Sequence, residues 1–436
     1  MNNVPLSSLA GWGRLPVTRQ KLLRCHDRAS PLPIPVDGTL LPYGNGRSYG
    51  DVPLNDGGYA LLTRGLDRFI AFDPINGLLR AEAGITLAEV LEIIVPQGWF
   101  LAVTPGTRFV TLGGALANDV HGKNHHVAGS FSAHVTRFEL LRSDGERRLC
   151  LPQDPWFTAT VGGLGLTGLI TWLEIRLQAV ANPWIILENK VFRNLEEYFD
   201  INRASELSWP YTVSWIDCAA QGKTLGRGVY MAGRHAPVGT TCTSVRPSRL
   251  VVPFTPPCSL VNTPVLRTFN FLYYHAPRPP QACSHYGPFF YPLDHMQNWN
   301  RIYGPRGFYQ YQFVVPHENA QDAVGEVLER IAVSGQGSFL AVLKTFGNLP
   351  AQGMLSFPRP GVTLALDFPN RGDATKQLFA TLDSVVRQAG GALYPAKDAR
   401  MQGDDFRRAY PAWEAFQSFI DPCFSSNFWR RVTCQG

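Results

Sequence analysis

The sequence predicts a mixed α and β protein built from two or three compact units. Its 436 residues are two to three times the length of an ordinary domain. Hydrophobic residues make up 45% of the chain and charged residues 17%, so a large core can form and a disordered protein is excluded. From residue 39 to 177, short apolar runs separated by glycine-bearing turns are interspersed with a helical pattern, which favours an α+β or α/β fold.

The first elements along the chain are strands and a helix. Short apolar runs bounded by turn residues predict strands at 59–62, 68–72 and 78–83. Thr86, with Glu89 three residues later, forms a capping-box pattern before a periodic apolar run, so a helix is expected there, ending at 96–98. Apolar and polar residues alternate over 169–177, which predicts a further strand.

Ordinary globular patterning continues in the last third of the chain. Periodicity predicts helices at 318–333 and 375–389 and strands at 338–344 and 362–368. A last helical stretch is expected over 404–419, interrupted at Pro411 because proline lacks the N–H that a helix interior needs.

Residues 219–293 differ in composition from the rest of the chain. They contain an aromatic cluster, no Asp or Glu, and seven Lys or Arg, so they alone carry +7 in a chain whose formal net charge is +6. One interpretation is a long irregular insertion, rich in proline, packed on its own domain. The other is a mobile basic and aromatic lid that meets an anionic amphiphile or a membrane surface. The arginines that would serve this lid are Arg246, Arg249, Arg267 and Arg278.

Several classes of protein are excluded by patterns that the sequence lacks. The N-terminus shows no basic stretch followed by an apolar one, and no apolar run reaches 18 residues, so neither a cleaved signal nor a membrane-spanning helix is expected. We expect a cytoplasmic protein, with peripheral contact at the inner membrane left open. No Lys/Arg block marks a nucleic-acid-binding arm. The eight cysteines are scattered without a C-x-x-C pair, which predicts reduced thiols.

Three glycine-rich loops carry the candidate chemistry. The first, 43–51, lacks bulky side chains at Gly44 and Gly46, so its N–H groups could turn toward a phosphate, although a surface turn would show the same pattern. The second extends over 105–126. The third, 161–168, matches G-x-G-x-x-G, but a strand pattern follows it where a dinucleotide fingerprint needs a helix. Its glycines are better suited to close approach of the backbone to a flat cofactor or a diphosphate.

Histidines are concentrated in and after the second loop. They are His121, His125, His126 and His134. No H-E-x-x-H pattern occurs and Asp119 is the one carboxylate nearby in sequence, so no metal site is predicted. A glycine-flanked, histidine-rich loop that also contains Lys123 is better suited to an organic anion or a redox cofactor. The sequence has no G-x-S-x-G elbow and no P-loop, which excludes a serine hydrolase of that kind and a P-loop NTPase.

Short motifs along the chain carry a family resemblance. In the first half they are 47–51, 105–108, 121–126, 128–131, 159–163 and 165–168; downstream they are 291–294, 299–301, 303–305, 310–313, 393–394 and 396–398. In this order the loops resemble the flavin-binding domain of the vanillyl-alcohol oxidase / p-cresol methylhydroxylase superfamily. Within it, the histidine-rich loop is similar to that of the decaprenylphosphoryl-β-D-ribose 2′-oxidase family, the flavoprotein half of a 2′-epimerase.

The resemblance implies an α+β fold with two domains. An FAD-binding domain is expected from 1–180 and 392–436. A substrate-binding domain built on an antiparallel sheet and helices is expected from 181–391, including the lid at about 219–293. FAD is expected to be held non-covalently, because the first loop has no histidine where many superfamily members attach the flavin.

The resemblance also implies the residues of the site. Lys397 and His121 are the expected catalytic residues, Lys397 as either base or electrostatic anchor. The expected cofactor-binding residues are Gly44, Asn45, Gly46, Arg47, Ser48, Tyr49, Pro105, Gly106, Thr107, Gly113, Gly114, Asn118, His121, Gly122, Lys123, Asn124, Gly129, Gly163, Gly168, Ile170 and Tyr394. The expected substrate-binding residues are Tyr49, Trp215, Gln312, Lys344 and Lys397. Ala365 takes the place of a pocket cysteine of mycobacterial members, so cysteine-directed inhibitors are expected to fail.

The activity implied is FAD-dependent oxidation of the 2′-hydroxyl of decaprenylphosphoryl-β-D-ribose, or of a related polyprenyl-phosphate pentose, to a 2′-keto intermediate. This is the first half of epimerisation to the arabinose donor for cell-surface glycans. A short-chain reductase partner that completes the epimerisation is implied by the family alone. Two alternatives stay open: an FAD-dependent sugar or aldonolactone oxidase with a soluble substrate, and a non-catalytic flavin- or lipid-binding protein.

Overall fold

The first sheet brings the start of the chain beside the first glycine-rich loop. The computed structural model describes residues 5–242 and 250–434. The strands of this sheet are β1 (Leu6–Ala10), β2 (Val17–Arg24), β3 (Leu40–Tyr43) and β4 (Tyr59–Leu62). They lie in the order β1-β2-β4-β3, with β4 parallel to both of its neighbours. The predicted strand at 59–62 is confirmed, and the first glycine-rich loop begins where β3 ends.

The second sheet is antiparallel and is centred on one long strand. Its strands are β5 (Phe69–Asp73), β6 (Leu78–Glu82), β7 (Trp99–Leu101), β8 (Val135–Leu141), β9 (Arg147–Cys150) and β10 (Leu169–Ala179). The helices between them are α1 (Leu87–Ile94), α2 (Leu112–Ala117), α3 (His125–Ala128) and α4 (Pro155–Thr160). The capping box of Thr86 and Glu89 at the start of α1 is confirmed. Strand β10 follows the third glycine-rich loop, as predicted, and pairs with β6, β7 and β8.

A third, eight-stranded antiparallel sheet forms most of the second half of the chain. The strands of this half are β11 (Trp184–Phe192), β12 (Tyr211–Ile216), β13 (Gly228–His235), β14 (Leu250–Val251), β15 (Gln281–His285), β16 (Met296–Gln297), β17 (Phe308–Val315), β18 (Val342–Phe346), β19 (Gly361–Pro369) and β20 (Ala392–Leu393). The sheet has the order β15-β11-β13-β12-β18-β19-β17-β20, whereas β14 and β16 pair only with each other. With its antiparallel sheets and separate helices, the protein has an α+β fold.

Helices cover one face of the eight-stranded sheet and close the C-terminal part of the chain. They are α5 (Leu195–Glu206), α6 (Thr263–His275), α7 (Tyr286–Phe290), α8 (Ala320–Ser334), α9 (Asp373–Gln388), α10 (Gly403–Ala409), α11 (Trp413–Phe416) and α12 (Asn427–Thr433). Val327 of α8, Leu382 of α9 and Leu364 of β19 belong to one fully buried apolar cluster, which leaves the opposite face of the sheet free to line a site. The interruption predicted at Pro411 is confirmed, since it separates α10 from α11.

Two sequence-based expectations differ from the structure in their bounds. The strand expected at 338–344 begins only at Val342, because two backbone N–H groups before it donate to side chains. The Leu340 N–H donates to Ser338 Oγ, and the Ser338 N–H donates to Cys218 Sγ, 120 residues away. Residues 392–393, assigned to the first domain, form β20 and pair with β17. The C-terminal segment does return to the first sheet, where the Ser425 N–H donates to Leu40 O. The division into two domains stays a prediction.

In its described residues, 219–242 and 250–293, the segment 219–293 contains regular helices and strands, so the expectation of a long irregular insertion is wrong for that part. It supplies β13 and β15 to the eight-stranded sheet and also forms α6 and α7. Arg246 and Arg249 of the expected lid lie outside the described residues. Helix α6 buries only Leu266 and Asn270, whereas Phe271 is 55% and Leu272 62% exposed. This helix therefore presents an apolar surface that the described residues do not cover.

The expectation that all cysteines are reduced is also wrong. Cys242 and Cys283 form a disulfide with 6.0 Å between their Cα atoms, a separation that disulfide geometry allows. Their separation of 41 residues leaves no short motif in the sequence. The other six cysteines are free thiols. Among residues 5–242 and 250–434, no helix has the length and apolar character needed to cross a membrane.

Candidate active site

The three glycine-rich loops and the free face of the eight-stranded sheet enclose one deep cavity of about 480 Å³. The loops supply its floor, with backbone and small side chains. Strands β12, β17, β18 and β19 supply the opposite wall. A cavity of this size, mostly apolar with a few convergent polar groups, is typical of a small-molecule or cofactor site.

The first two loops are locked together by close backbone contacts. A Cβ atom on Gly44 would lie 2.7 Å from Thr111 Oγ1, and one on Gly46, whose φ is +59°, would collide with the Tyr43 hydroxyl. Asn45 Nδ2 donates to Phe109 O at 2.7 Å and so joins the loops. A Cβ on Gly106 would meet nothing within 4 Å, so this backbone is open to a ligand. Glycine is therefore required at Gly44 and Gly46 by the fold itself.

Most of the predicted site residues lie together in this cavity. Those that line it are Gly44, Asn45, Gly46, Arg47, Ser48, Tyr49, Pro105, Gly106, Thr107, Gly113, Gly114, Asn118, His121, Gly122, Lys123, Gly168, Ile170, Trp215, Gln312, Lys344, Tyr394 and Lys397. Asn124, Gly129 and Gly163 do not line it. Asn124 Nδ2 donates to Ala102 O, Gly129 ends α3 with φ +70°, and a Cβ on Gly163 would collide with Ala159 O. These three residues therefore stabilise the conformation of the loops without lining the cavity.

His121 is held in the cavity by Gln312. The Nε2 atoms of the two side chains are 3.2 Å apart, and Gln312 Nε2 also lies 3.2 Å from Thr363 Oγ1. Because the amide nitrogen can only donate, His121 Nε2 is the acceptor and Nδ1 carries the proton. Nδ1 has no partner among the described residues, so it is available to a ligand. Burial, followed by the nearby Lys344, lowers the pKa of His121 well below its usual value and keeps the ring neutral.

The other histidines of the loop do not gather around a metal. His125 packs against Phe346, His126 bonds to Trp209 O, and His134 bonds to Ala128 O. In the part of the chain that the structure describes, no three His, Cys, Asp or Glu side chains lie close enough to hold a metal ion.

Polar side chains occupy the cavity face of otherwise apolar strands. The register pairs Gln310 with Asp367 and Gln312 with Ala365 between β17 and β19, and Lys344 of β18 with Thr363 of β19. Since alternate residues of a strand point to one face, all of these except Thr363 line the cavity, while Leu364 and Leu366 point into the core. The antiparallel register thus explains why one wall of the site is polar.

Three lysines from separate elements meet in the cavity. They are Lys123 in the second loop, Lys344 on β18 and Lys397 after β20. Each of the three side chains is half-buried, because part of its surface is exposed to the cavity. Burial lowers the pKa of Lys123 to about 7 and that of Lys344 to about 8, and it also lowers the pKa of Lys397. Within the described residues none of the three forms an ion pair, so the site is prepared for an anionic ligand.

The sequence did not single out several residues that line the cavity. Asp367, Gln310, Asp294 and Trp12 contribute charge, hydrogen-bonding groups and an aromatic face. Asp367 could have been found by the argument used for Lys344, because it is a charged residue inside the apolar strand 362–368. Trp12 gave no such signal. It reaches the site because the Gly13 N–H donates to Tyr49 O, and its ring carries the Arg47 guanidinium at 4.2 Å.

The mouth of the cavity is aromatic and basic. Phe269 and Tyr273 of α6 line it, and Tyr273 packs against Trp215 with ring centroids 4.5 Å apart. An adjoining open pocket of about 500 Å³ shares Trp12 with the cavity and is lined by Arg14 and Arg301. Both guanidinium groups bond to carbonyl oxygens of neighbouring loops and, among the described residues, neither faces a carboxylate at ion-pair distance.

The cavity fits FAD. The open backbone at Gly106, Gly44 held against the second loop and Gly46 held against Tyr43 form a floor that a diphosphate can approach closely. Five polar atoms of the lining residues are buried without a partner among the described residues: Arg47 Nε, Asn118 Oδ1, His121 Nδ1, Ser214 Oγ and Asp367 Oδ2. Buried polar atoms are rarely left unpaired, so these atoms indicate a polar ligand that spans from the loops to the sheet.

Comparison with known proteins agrees with this geometry. Residues 37–150 match the FAD binding domain family. The chain is 35% identical over 448 residues to decaprenylphosphoryl-beta-D-ribose oxidase of Mycolicibacterium smegmatis, covering 97% of both chains. It is 31% identical over 368 residues to an uncharacterized protein in the mprA 5′ region of Streptomyces coelicolor, covering 80% of this chain and 100% of that one. It is also 28% identical over 126 residues to human Delta(24)-sterol reductase, covering 28% of this chain and 24% of that one.

The chain belongs to the decaprenylphosphoryl-β-D-ribose oxidase family. It carries an FAD-binding domain and has the α+β architecture expected of this superfamily. It is therefore an FAD-dependent oxidoreductase.

Proposed function

We propose that this enzyme oxidises the 2′-hydroxyl of a polyprenyl-phosphate pentose, such as decaprenylphosphoryl-β-D-ribose, to the 2′-keto sugar. The observation that carries the proposal is the meeting of Lys397 and Gln312 with His121 of the second glycine-rich loop in one cavity. This arrangement occurs in a chain that is similar over 97% of its length to an oxidase of that name.

The reaction requires a hydride acceptor and a base. Bound FAD would take the hydride from the carbinol carbon, and the residues of the chain manage the proton and the charge. Lys397 has a lowered pKa because it is buried, so its neutral amine is accessible near neutral pH and can accept the hydroxyl proton. His121 can donate its Nδ1 proton to a ligand oxygen, with Gln312 fixing the ring. Lys123 and Lys344 would stabilise the negative charge that develops on the cofactor.

FAD is proposed to be held without a covalent bond. The first loop lines the cavity with Gly44, Asn45, Gly46, Arg47, Ser48 and Tyr49, which offer no histidine or cysteine as an attachment point. After acid precipitation of the protein, the flavin absorbance should remain in the supernatant. Flavin that stays with the pellet would contradict this part of the proposal.

The mouth of the cavity is suited to a phosphate-headed lipid. Arg14 and Arg301 can bind a phosphate beside Trp12, and the exposed apolar residues of α6, Phe271 and Leu272, can contact a prenyl chain or a membrane surface.

We infer that the protein works as a cytoplasmic enzyme in peripheral contact with the inner membrane. We also infer that it delivers its keto product to a short-chain reductase, because epimerisation needs a reduction after this oxidation.

Anaerobic mixing of the purified holoenzyme with decaprenylphosphoryl ribose tests the substrate. The oxidised-flavin absorbance should bleach, and a keto sugar should be trapped by hydrazine reagents. Free ribose and ribose 5-phosphate are the controls and should leave the flavin oxidised. Bleaching by a free sugar or an aldonolactone would instead indicate an oxidase with a soluble substrate. An oxidised flavin with every sugar tested would refute the proposal.

A further inference from the structure

Two fully buried carboxylates have no paired cation among the described residues, Asp119 and Asp367. Asp119 accepts hydrogen bonds from Ser130, Ser132 and Ser356, whereas Asp367 keeps one oxygen without a partner. Asp217 is paired with Arg227, Asp383 with Arg400, and Asp51 with Arg431. Asp367 is fully buried, yet within the described residues no Arg, Lys or His lies at ion-pair distance from it. A buried carboxylate without a cation is costly, so a group of this kind is usually kept for function.

One oxygen of Asp367 is fixed and the other is free. Gln310 Nε2 donates to Oδ1 at 2.6 Å across the β17–β19 pair. Oδ2 is buried without a partner among the described residues. The strand is held in place on this side, since the Asp367 N–H donates to Ser338 Oγ at 2.9 Å. The carboxyl group is therefore oriented rigidly, with one oxygen able to carry a proton.

Lys397 lies on the same side of the cavity. Its Nζ atom sits 4.0 Å from the centroid of the Tyr49 ring, and both Lys397 and Asp367 line the cavity next to Tyr49 and Gln310. Burial raises the pKa of Asp367 and lowers the pKa of Lys397, so the difference between the two pKa values becomes much smaller than usual. A proton can then reside on either group at similar cost, and the two titrate together.

We propose that Asp367 and Lys397 share one proton, and that Asp367 holds this proton while the Lys397 amine accepts the hydroxyl proton of the substrate. The inference rests on the proposed function and adds to it a proton-holding residue. As the substrate O–H bond breaks, an N–H bond forms at Nζ. The electron pair of the C–H bond leaves as hydride to the bound flavin, and the carbinol becomes a ketone. The pair changes from net zero to net +1 charge while the reduced flavin becomes more negative.

The other titratable groups that face the pair are Tyr49, Tyr303, His121 and Lys344. Burial raises the pKa of both tyrosines well above their usual value, and His121 stays neutral, so these three do not titrate near neutral pH. Lys344 on β18 has a pKa lowered by burial to about 8 and titrates in the same range, as does Lys123 of the same cavity, whose pKa is lowered to about 7. Lys344→Met is therefore examined in parallel, so that its titration is not mistaken for that of the pair.

The variant Asp367→Asn tests the proposal in single-turnover reduction of the holoenzyme by lipid-linked ribose as a function of pH. It keeps the shape of the side chain but removes the charge that raises the pKa of Lys397. The midpoint of the pH profile should fall by about one pH unit or more, and a broad wild-type profile should become a single step. Asp383→Asn, which also removes a buried carboxylate, should leave the midpoint unchanged. An unchanged midpoint in Asp367→Asn, even with a lower rate, would overturn the proposal.

A second measurement does not depend on activity. In the holoenzyme without substrate, the infrared carbonyl band of a protonated carboxylic acid should titrate near neutral pH and be absent from Asp367→Asn. In Lys397→Gln the band should persist to higher pH, because the cation that favours the carboxylate has gone. If the titration of this band is the same in Lys397→Gln as in the wild type, the two groups do not share a proton. This comparison does not need Asp367→Asn, so it remains decisive if that variant does not fold. If the wild type is not reduced by the lipid, the substrate assignment fails, whereas the infrared result still decides the pair.

Discussion

Lys344 should cost the apoprotein stability, and its replacement by methionine should recover it. The side chain projects from β18 into the cavity, and the described residues place no carboxylate at ion-pair distance from it. Burial lowers its pKa from 10.5 to about 8. A shift of that size corresponds to roughly 3 kcal/mol for a fully buried group, and because Lys344 is half-buried we expect about 1–2 kcal/mol.

The effect of Lys344 on the stability of the folded protein depends on pH. A lysine whose pKa is lowered in the folded state binds fewer protons there than in the unfolded state, so stability rises with pH between the two values. The destabilisation caused by Lys344 is therefore greatest below pH 8 and disappears as the pH approaches 10.5. Lys344→Met should unfold at a higher temperature than the wild type at pH 7, and this difference should vanish toward pH 10.5.

Thermal unfolding followed by circular dichroism, with flavin removed and again with flavin saturating, measures the effect. The gain should be larger in the apoprotein, because a bound anion compensates the wild-type lysine. Flavin reduction should become slower in the variant. Lys223→Met, at an exposed position, is the control and should change neither quantity. If Lys344→Met melts at or below the melting temperature of the wild type at pH 7, Lys344 does not destabilise the folded protein.

Three further outcomes are expected. Gln312→Leu removes the bonds to His121 and Thr363, so flavin reduction should slow about 5- to 30-fold with little change in flavin affinity, measured by stopped-flow absorbance. Ala365→Cys should place a thiol in the cavity and make the enzyme sensitive to cysteine-directed inhibitors, seen as a mass increase that the wild type lacks. Phe271→Ser with Leu272→Ser should weaken sedimentation with anionic vesicles and leave reduction by a short-chain lipid substrate unchanged; Leu207→Ser, an exposed leucine outside this surface, is the control.

Local signals in the sequence were sufficient for the elements that carry the site. The capping box of Thr86 and Glu89 and the alternation after the third loop depend only on neighbouring residues, and both are confirmed. The same holds for the glycine loops, because their shape follows from backbone sterics at Gly44 and Gly46. Motifs of this kind also carried the family resemblance, which is why most of the expected cofactor-binding residues lie in the cavity.

Other features depend on contacts between distant parts of the chain. The Gln310–Asp367 bond joins residues 57 positions apart, and only the register of β17 and β19 brings them together. The disulfide likewise joins two cysteines 41 positions apart, Cys242 and Cys283, which only the fold brings together. Trp12 reaches the site through a backbone bond to the first loop. No periodicity or local motif contains these relations, so composition and spacing could not predict them.

The positive charge of the segment 219–293 is distributed less evenly than its composition suggests. Arg227 is bound by Asp217, just outside the segment, so one of the seven charges is neutralised within the fold. Arg267 and Arg278 have no carboxylate partner among the described residues, and Arg278 lies over the Tyr273 ring at 4.4 Å, beside the cavity mouth. Among the described residues, Lys223 and Arg234 of the segment also lack a carboxylate partner. Helix α6 and the residues just after it thus carry two of the unpaired charges, next to the exposed Phe271 and Leu272. Unpaired cations beside exposed apolar side chains match a lipid phosphate better than a soluble sugar, because a free sugar would gain nothing from the apolar surface.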